Sequence, residues 1–522
     1  MNYHFHSKEK FLWALWAGVL LWSYLLPLYA APTNYNREPT FALIHSNLAI
    51  PSYTTPWSAP SIVETDGMGV VINTNPTYVL TSASLTQNAV STTVVLMNNH
   101  HMSKKIPAQL IYTDPEVDLS IIQLDGLSNE DQQSITPIKL ANEKTDETQK
   151  SIIQVVANVL DSSAAELLAI RVSPYRTNPH FRSREDLFLV LEIENTLKLK
   201  NGEPLIAGTP VLNKGNELIG LALSGQKNNA SSIKLVPSYI IKQFIIHQRV
   251  GLSGFPNFGA KFESTTRELL NLLSCKEQGV YVSDVYMNMP ANKARLQIGD
   301  IITAIDGYPV NSNGNYIDPT YGIINVFHLL RSKMPIEGFH TLTVFREGKT
   351  LSLRLYPFHQ PTDRDLIPNI TSTKPTPYFV LGGLVLMEGT FSYVMNWLKK
   401  TPSRALSLFY TFINQTKAEF NWREHIVYLG NILETSETNK PDEFEPVEVF
   451  EINDTPILSI KDVPRAIQKP ILKNGKYFHF IRCKGAPGLV YLHAGNLEQT
   501  HKELATKYQI NTFTNIETST NR

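Results

Sequence analysis

The chain has 522 residues, in which 47 Lys plus Arg are balanced by 47 Asp plus Glu, and it carries two cysteines. That length corresponds to about three or four domains. Neutral charge without a basic block excludes the electrostatic footprint of a nucleic-acid binder, and Cys275 with Cys483 could form at most one bridge, which excludes a disulfide scaffold.

In chain order, Lys8 and Lys10 precede an apolar run from Phe11 to Leu26, followed by Pro27 and the small residues Ala30 and Ala31. Charge, apolar stretch and small-residue exit read as a secretory signal peptide over residues 1–30. The run is also close to the roughly 20 residues that span a bilayer, so an inner-membrane anchor over 11–30 is the alternative. Either reading predicts an exported protein, periplasmic or secreted, that meets a membrane only if the segment is uncleaved.

After a Pro- and Ser-rich lead to Pro60, short runs rich in Val, Ile, Leu and Thr recur without intervening helices: Val70 to Asn73, Tyr78 to Thr81, Thr93 to Met97, Gln109 to Thr113, Leu119 to Leu124, Ile152 to Val156, Leu187 to Ile193 and Leu218 to Leu223. Turn residues such as Asn213-Lys214-Gly215-Asn216 separate them. The pattern predicts an all-β barrel or sandwich over about 60–247.

Four segments of this region, in order, resemble the trypsin-like domain of the HtrA/Deg family of exported serine proteases. Gly67-Met68-Gly69-Val70-Val71 with Tyr78-Val79-Leu80-Thr81-Ser82-Ala83-Ser84-Leu85 is similar to the family's GSGVI and YILTNNHVV. Asp114-Pro115-Glu116-Val117-Asp118-Leu119 resembles DPxxDL, Ile206-Ala207-Gly208-Thr209-Pro210-Val211 resembles NSGGPL, and Ser232 to Ser238 resembles the closing strand. The resemblance implies a double β-barrel. It places Ser84 at the family's histidine, Ala207 at its nucleophilic serine and Asp118 at its aspartate, so only the aspartate is retained.

A serine hydroxyl becomes nucleophilic only with a base within hydrogen-bond reach. Ala207 has nothing to attack with, and Ser84 is no base near neutral pH. Loss of triad members costs on the order of 10^4 to 10^6 in turnover. The oxyanion turn is altered as well, with Leu205 and Thr209 where the family has glycines. The domain therefore reads as a pseudoprotease. His45, His100, His101, His180 and His247 are its remaining histidines; the His100–His101 pair reads as a solvated turn, and Thr209 and Ser224 as ordinary turn and strand hydroxyls. No metal site or cofactor is predicted.

From 251 to 357, Gly279 to Val285, Met289 to Leu296 and Ile298 to Val310 follow the PDZ signature GVxVxxVxxxSPAxxAGLxxGDVIxxxNGxPV, with a helix expected over Ile323 to Leu330. PDZ domains add a peptide as an extra strand and hold its carboxylate in a nest of backbone amides. By resemblance the peptide-binding residues are Phe258, Gly259, Ala260 and Phe262; the bland alternative is that these aromatics are core. His328 is a candidate groove residue, or a surface histidine.

Beyond a Pro-rich linker, Tyr378 to Leu386 reads as a strand and Glu388 to Phe420 as helical. Val447 to Ile457 repeats the strand–turn–strand of Ile301 to Val310, as a diverged second PDZ over 375–515 would. This resembles the atypical second PDZ of plant-type Deg proteases, which serves assembly. The fold expected is mainly β: a trypsin-like double β-barrel followed by two PDZ-type α+β domains. The resemblance implies a chaperone or scaffold for unfolded polypeptides or protein C-termini, trimer-based homo-oligomers, and co-assembly with an active paralogue as a further option. An active endopeptidase of periplasmic quality control with a rearranged site is the competing reading. The cysteines fall in different PDZ modules and are expected as free, buried thiols.

Overall fold

A computed structural model describes residues 39–98, 101–141, 153–155, 165–167, 170–175, 188–194, 206–213, 215–223, 232–333, 338–356, 358–359, 365–368, 376–413, 423–439, 444–485 and 488–516. The expected signal segment lies outside them.

The first barrel is built from β1 (Phe41–Ile50), β2 (Ser61–Thr74), β3 (Thr77–Thr81), β4 (Ala89–Asn98), β5 (His101–Met102), β6 (Ile106–Asp114) and β7 (Leu119–Leu124). They are ordered β1-β2-β3-β7-β6-β4-β5, and an additional β1–β4 pairing closes the sheet on itself. β1 corrects the expected boundary: the barrel begins at Phe41, inside the stretch read as a lead before Pro60. Its inward residues Ala42, Ser46 and Ala49 are small and Ile44 is the one buried β-branched residue, so it lacks the dense β-branched run that marks the other strands.

The second sheet has eight strands, among them Phe188–Glu194, Pro210–Leu212, Glu217–Ala222 and Ser232–Pro237. Its Leu212, Leu218, Leu221 and Val236 share one core with Val70, Leu80, Val117, Leu119 and Ile121 of the first barrel. Burial of these aliphatic side chains, at about 1.5 to 3 kcal/mol each, holds the barrels together. It also places the Asp114–Asp118 turn at their seam.

The chain leaves the barrels through the helix Ser238–Val250 and enters a sheet ordered 260–263, 280–285, 301–305, 340–346, 349–355. The helix expected over Ile323 to Leu330 is not continuous. Gly322–Asn325 is a strand paired with Asn315–Asp318, and only His328–Ser332 is helical. Asp318 explains the difference. Its Oδ1 accepts the backbone N–H groups of Thr320 (2.8 Å) and Tyr321 (3.1 Å), closing a turn that returns the β-branched Ile323 and Ile324 as a strand.

The last module opens with a hairpin, Tyr378–Leu381 and Leu384–Glu388, turned at Gly382-Gly383, where one strand was expected. Helices Phe391–Lys400 and Leu406–Ile413 follow, and the sheet continues through Val427–Ile432, Val447–Ile452 and Lys476–Lys484. On these helices Tyr393 and Phe412 are fully buried, while Tyr410 is exposed. The β1–β2 loop of the first barrel docks here, with Tyr53 edge-on to Tyr393 at 5.7 Å and the Trp57 indole N–H donating to the Tyr508 carbonyl at 3.2 Å. Cys275 and Cys483 are both free and buried, as expected.

Candidate functional site

Asp118 ends the turn after Pro115 in a left-handed conformation, φ 55°, with its side chain buried at the barrel seam. Its Oδ1 accepts the Ser82 hydroxyl at 2.7 Å and the Ser84 backbone N–H at 3.1 Å, and the Ser82 and Ser84 hydroxyls lie 2.7 Å apart. Ser82 caps the single turn Ala83–Leu85, and its hydroxyl also accepts the Ser84 N–H. The structure thus brings Asp118 and Ser84 together, through a backbone amide and a neighbouring hydroxyl. Ser82 was missed in the sequence because its part depends on the β3 and β7 strands lying side by side.

Replacing Asp118 by Ala would remove the carboxylate acceptor shared by the buried Ser82 hydroxyl and the Ser84 N–H, leaving only the weaker contacts between the two serines. We expect a loss of about 1 to 3 kcal/mol of stability, measured by urea denaturation. An unchanged midpoint would refute this structural role.

Ala207 packs its methyl against the first-barrel cluster that contains Leu85, next to Ser84, and its carbonyl accepts the Met68 N–H at 3.0 Å. The turn around it is closed by its own hydrogen bonds. Gly208 N–H donates to Ala222 O at 3.0 Å, Ala222 N–H donates to Thr209 O at 2.9 Å, and the Thr209 hydroxyl donates to Ile206 O at 2.7 Å. Gly208 is required here: φ is +77°, and a Cβ would sit 2.1 Å from the Met68 carbonyl oxygen.

The other histidines sit elsewhere. His45 pairs across the strands with Asp66, Nδ1 to Oδ1 2.6 Å, at an exposed position. His247 is buried on the helix Ser238–Val250 against Phe255 and His359, where desolvation lowers its pKa to about 4. His100, His180, Leu205 and Ser224 lie outside the described residues.

In the domain after the barrels, Ala260–Glu263 forms one end of its sheet, paired with Val280–Val285. Gly259 precedes it at φ +81°, and a Cβ there would meet Met289 Cβ at 2.2 Å. The Gly259 N–H donates to Asn257 Oδ1 at 3.0 Å. Phe258 is buried in the domain core, 4.9 Å from the Phe262 ring, and half-buried Phe262 stacks on Phe327 at 5.5 Å. Phe258 is therefore a core residue, and Phe262 lies between the end strand and the short helix.

His328, read as a groove or surface residue, is neither. It is buried between Tyr239 of the barrel helix, 5.6 Å, and Tyr321, 5.7 Å, and burial lowers its pKa to about 3. One turn on, Arg331 donates from Nη2 to Glu116 Oε2 at 2.9 Å and from Nε to the Pro256 carbonyl at 3.0 Å, with its guanidinium 4.4 Å above the Phe188 ring. Glu116 belongs to the Asp114–Asp118 turn, so a buried ion pair joins this turn to the short helix of the following domain. The only sequence signal was an acid inside an otherwise conventional DPxxD turn.

Two barrels with a shared core, followed by two modules of small sheets and short helices, define a trypsin-like peptidase fold carrying PDZ domains. Family models agree: a trypsin-like peptidase domain matches residues 67–221, and PDZ domains match 256–323 and 367–515. The chain is 23% identical over 434 residues to the mitochondrial Do-like 3 protein of Arabidopsis thaliana, covering 80% of this chain and 70% of that one. It is 23% identical over 299 residues to the periplasmic serine endoprotease DegP of Escherichia coli, covering 55% of this chain and 56% of DegP, so it spans little more than half of that relative's length. Among solved structures, an HtrA-type protease AlgW with decapeptide is similar at 18% identity and a TM-score of 0.44, over 63% of this chain and 98% of that one. The chain belongs to the HtrA/Deg family.

Proposed function

We propose that this chain is an exported HtrA/Deg-type pseudoprotease that binds unfolded or C-terminally exposed polypeptides and acts as a chaperone, scaffold or regulatory subunit. One observation carries the reading: Ala207 stands at the nucleophile position, while the Asp118 carboxylate is engaged by Ser82 and the Ser84 amide. Such a seam can hold barrels together but has no group to attack a peptide carbonyl. Binding is assigned to the first PDZ, where an extended peptide would add to Ala260–Glu263 and Phe262 would meet its side chains. The Asn257 side chain on the Gly259 amide would have to yield to an incoming carboxylate.

The test is incubation of the purified chain with unfolded casein, read by gel and by mass spectrometry. We expect the casein to remain intact, and robust cleavage that co-purifies with the chain through chromatography would sink the proposal. Titration with fluorescent C-terminal peptides, with and without Gly259→Pro, tests the binding loop. Equal affinity for both forms would refute it.

A further inference from the structure

The 35 residues from 463 to 497 hold six Lys or Arg and no Asp or Glu, within a chain whose formal net charge is zero. The cations are spaced along the segment, so they form no block in the sequence. Folding collects several of them. Along the strand Lys476–Lys484, His479, Ile481 and Cys483 point into the core, which turns Lys476, Phe478, Phe480, Arg482 and Lys484 to the other face. The strand register places Lys473 beside Lys476, Tyr491 beside Phe480 and Leu489 beside Arg482.

This outward face is aromatic and aliphatic where the open side of a sheet is ordinarily polar. Phe478 lies 6.1 Å from Phe480 and 6.3 Å from Tyr491 between ring centroids, and Lys473 Nζ lies 5.6 Å from the centre of the Phe480 ring. Tyr491 is 65% exposed and Leu489 46%; Leu472 and Tyr477 of the neighbouring hairpin are paired with each other on the opposite face. The nearby acids are Glu448, which is cross-strand from Lys484 and pairs with Arg423, and Glu451 and Asp454; Arg482 pairs with Glu451 at 2.6 Å and lies 3.9 Å from Asp454. Lysines therefore set the sign of the face.

We propose that this face of the second PDZ docks on an anionic phospholipid bilayer, independently of the peptide-binding reading. Lysines would meet headgroup phosphates, while Tyr491 and Leu489 enter the interface, where amphipathic aromatic and aliphatic side chains settle beside snorkelling lysines. Single-stranded nucleic acid would use the aromatics as stacking platforms but gives the exposed Leu489 nothing to do. An acidic polypeptide would satisfy the lysines and leave the same apolar rim in water.

The test uses the full chain carrying Tyr491→Cys labelled with a polarity-sensitive fluorophore; Cys275 and Cys483 are buried. A matching label at Glu268→Cys, in the first PDZ, is the control. A local probe is needed because residues 11–26 could themselves bring the chain to lipid. With phosphatidylcholine vesicles containing phosphatidylglycerol, the label at 491 should shift to the blue and the label at 268 should not. Pure phosphatidylcholine should give little response. Each lysine near an anionic surface contributes roughly fivefold, so Lys473→Glu with Lys476→Glu should weaken the partition by at least about 25-fold, with the far-UV spectrum and melting temperature unchanged. Unlabelled Leu489→Ser with Tyr491→Ser should also weaken co-sedimentation.

No shift with anionic vesicles, an equal shift with neutral ones, or full binding by the charge-reversed variant would overturn the proposal. So would tighter binding of a single-stranded oligonucleotide or of polyglutamate than of the vesicles.

Discussion

Glu116→Ala should destabilise the chain by about 3 to 5 kcal/mol, because it leaves the Arg331 guanidinium buried without its carboxylate. The side chains of Arg331 and Glu116 are only 4% and 8% exposed, so water cannot replace the lost partner. Among its other contacts Arg331 would keep the Pro256 carbonyl and the Phe188 ring. The double replacement Glu116→Leu with Arg331→Met removes both charges and should recover most of the loss, since apolar side chains of similar volume often match a buried pair. Calorimetry of the parent and the two variants reads both effects. A single variant as stable as the parent would show that the ion pair does not hold the barrels to the first PDZ. If the pair does hold them, limited proteolysis of Glu116→Ala should cut between the helix Ser238–Val250 and the Ala260–Glu263 strand before either domain is digested.

Acidification from pH 7 to pH 4 should weaken the same junction. His247 and His328 take up a proton near pH 6.5 in the unfolded chain, but burial holds them neutral in the folded chain down to about 4 and about 3. These two groups let the unfolded state bind up to two more protons through this window, and burial of His359 beside His247 acts in the same direction. Stability is full above pH 6.5 and falls as the pH drops, by up to about 2.7 kcal/mol per pH unit where both unfolded-state imidazoles are charged.

Groups around His328 act in both directions, Lys333 lowering its pKa and Asp318 raising it, after desolvation. Asp318 itself is held at about 2, chiefly by the Lys333 ammonium and the Tyr316 hydroxyl against the opposing effect of burial. Its contribution fades only below its ordinary value near 3.8, under the histidine window. Urea midpoints measured at half-unit steps should fall steadily from pH 6.5 to 4.5, and His328→Leu should roughly halve the slope. A flat profile for the parent, or an unchanged slope in the variant, would rule out this source of acid sensitivity.

The strands that sequence reading located best are those buried on both sides or carrying β-branched runs, such as Leu119–Leu124 and Glu217–Ala222. β1 was missed because His45, Ser46 and Asn47 interrupt it, and its inward residues identify themselves only against β2 and β4. The single helix expected at 323–330 failed because a carboxylate at Asp318 caps a turn that periodicity does not register. Position 328 read as a groove or surface residue, since nothing local to it reveals that Tyr239, nearly 90 residues earlier, lies against its ring.

The sequence by itself determined the module order and the identity of residues 84, 118 and 207, because these rest on side-chain chemistry and on short motifs that form one turn at a time. Tertiary structure alone decided what surrounds them. Asp118 accepts hydroxyl and amide donors from the single turn that follows β3. Glu116 reaches an arginine 215 positions away. Cations scattered over 35 residues meet on one sheet face because strand pairing brings together in space what chain spacing keeps apart.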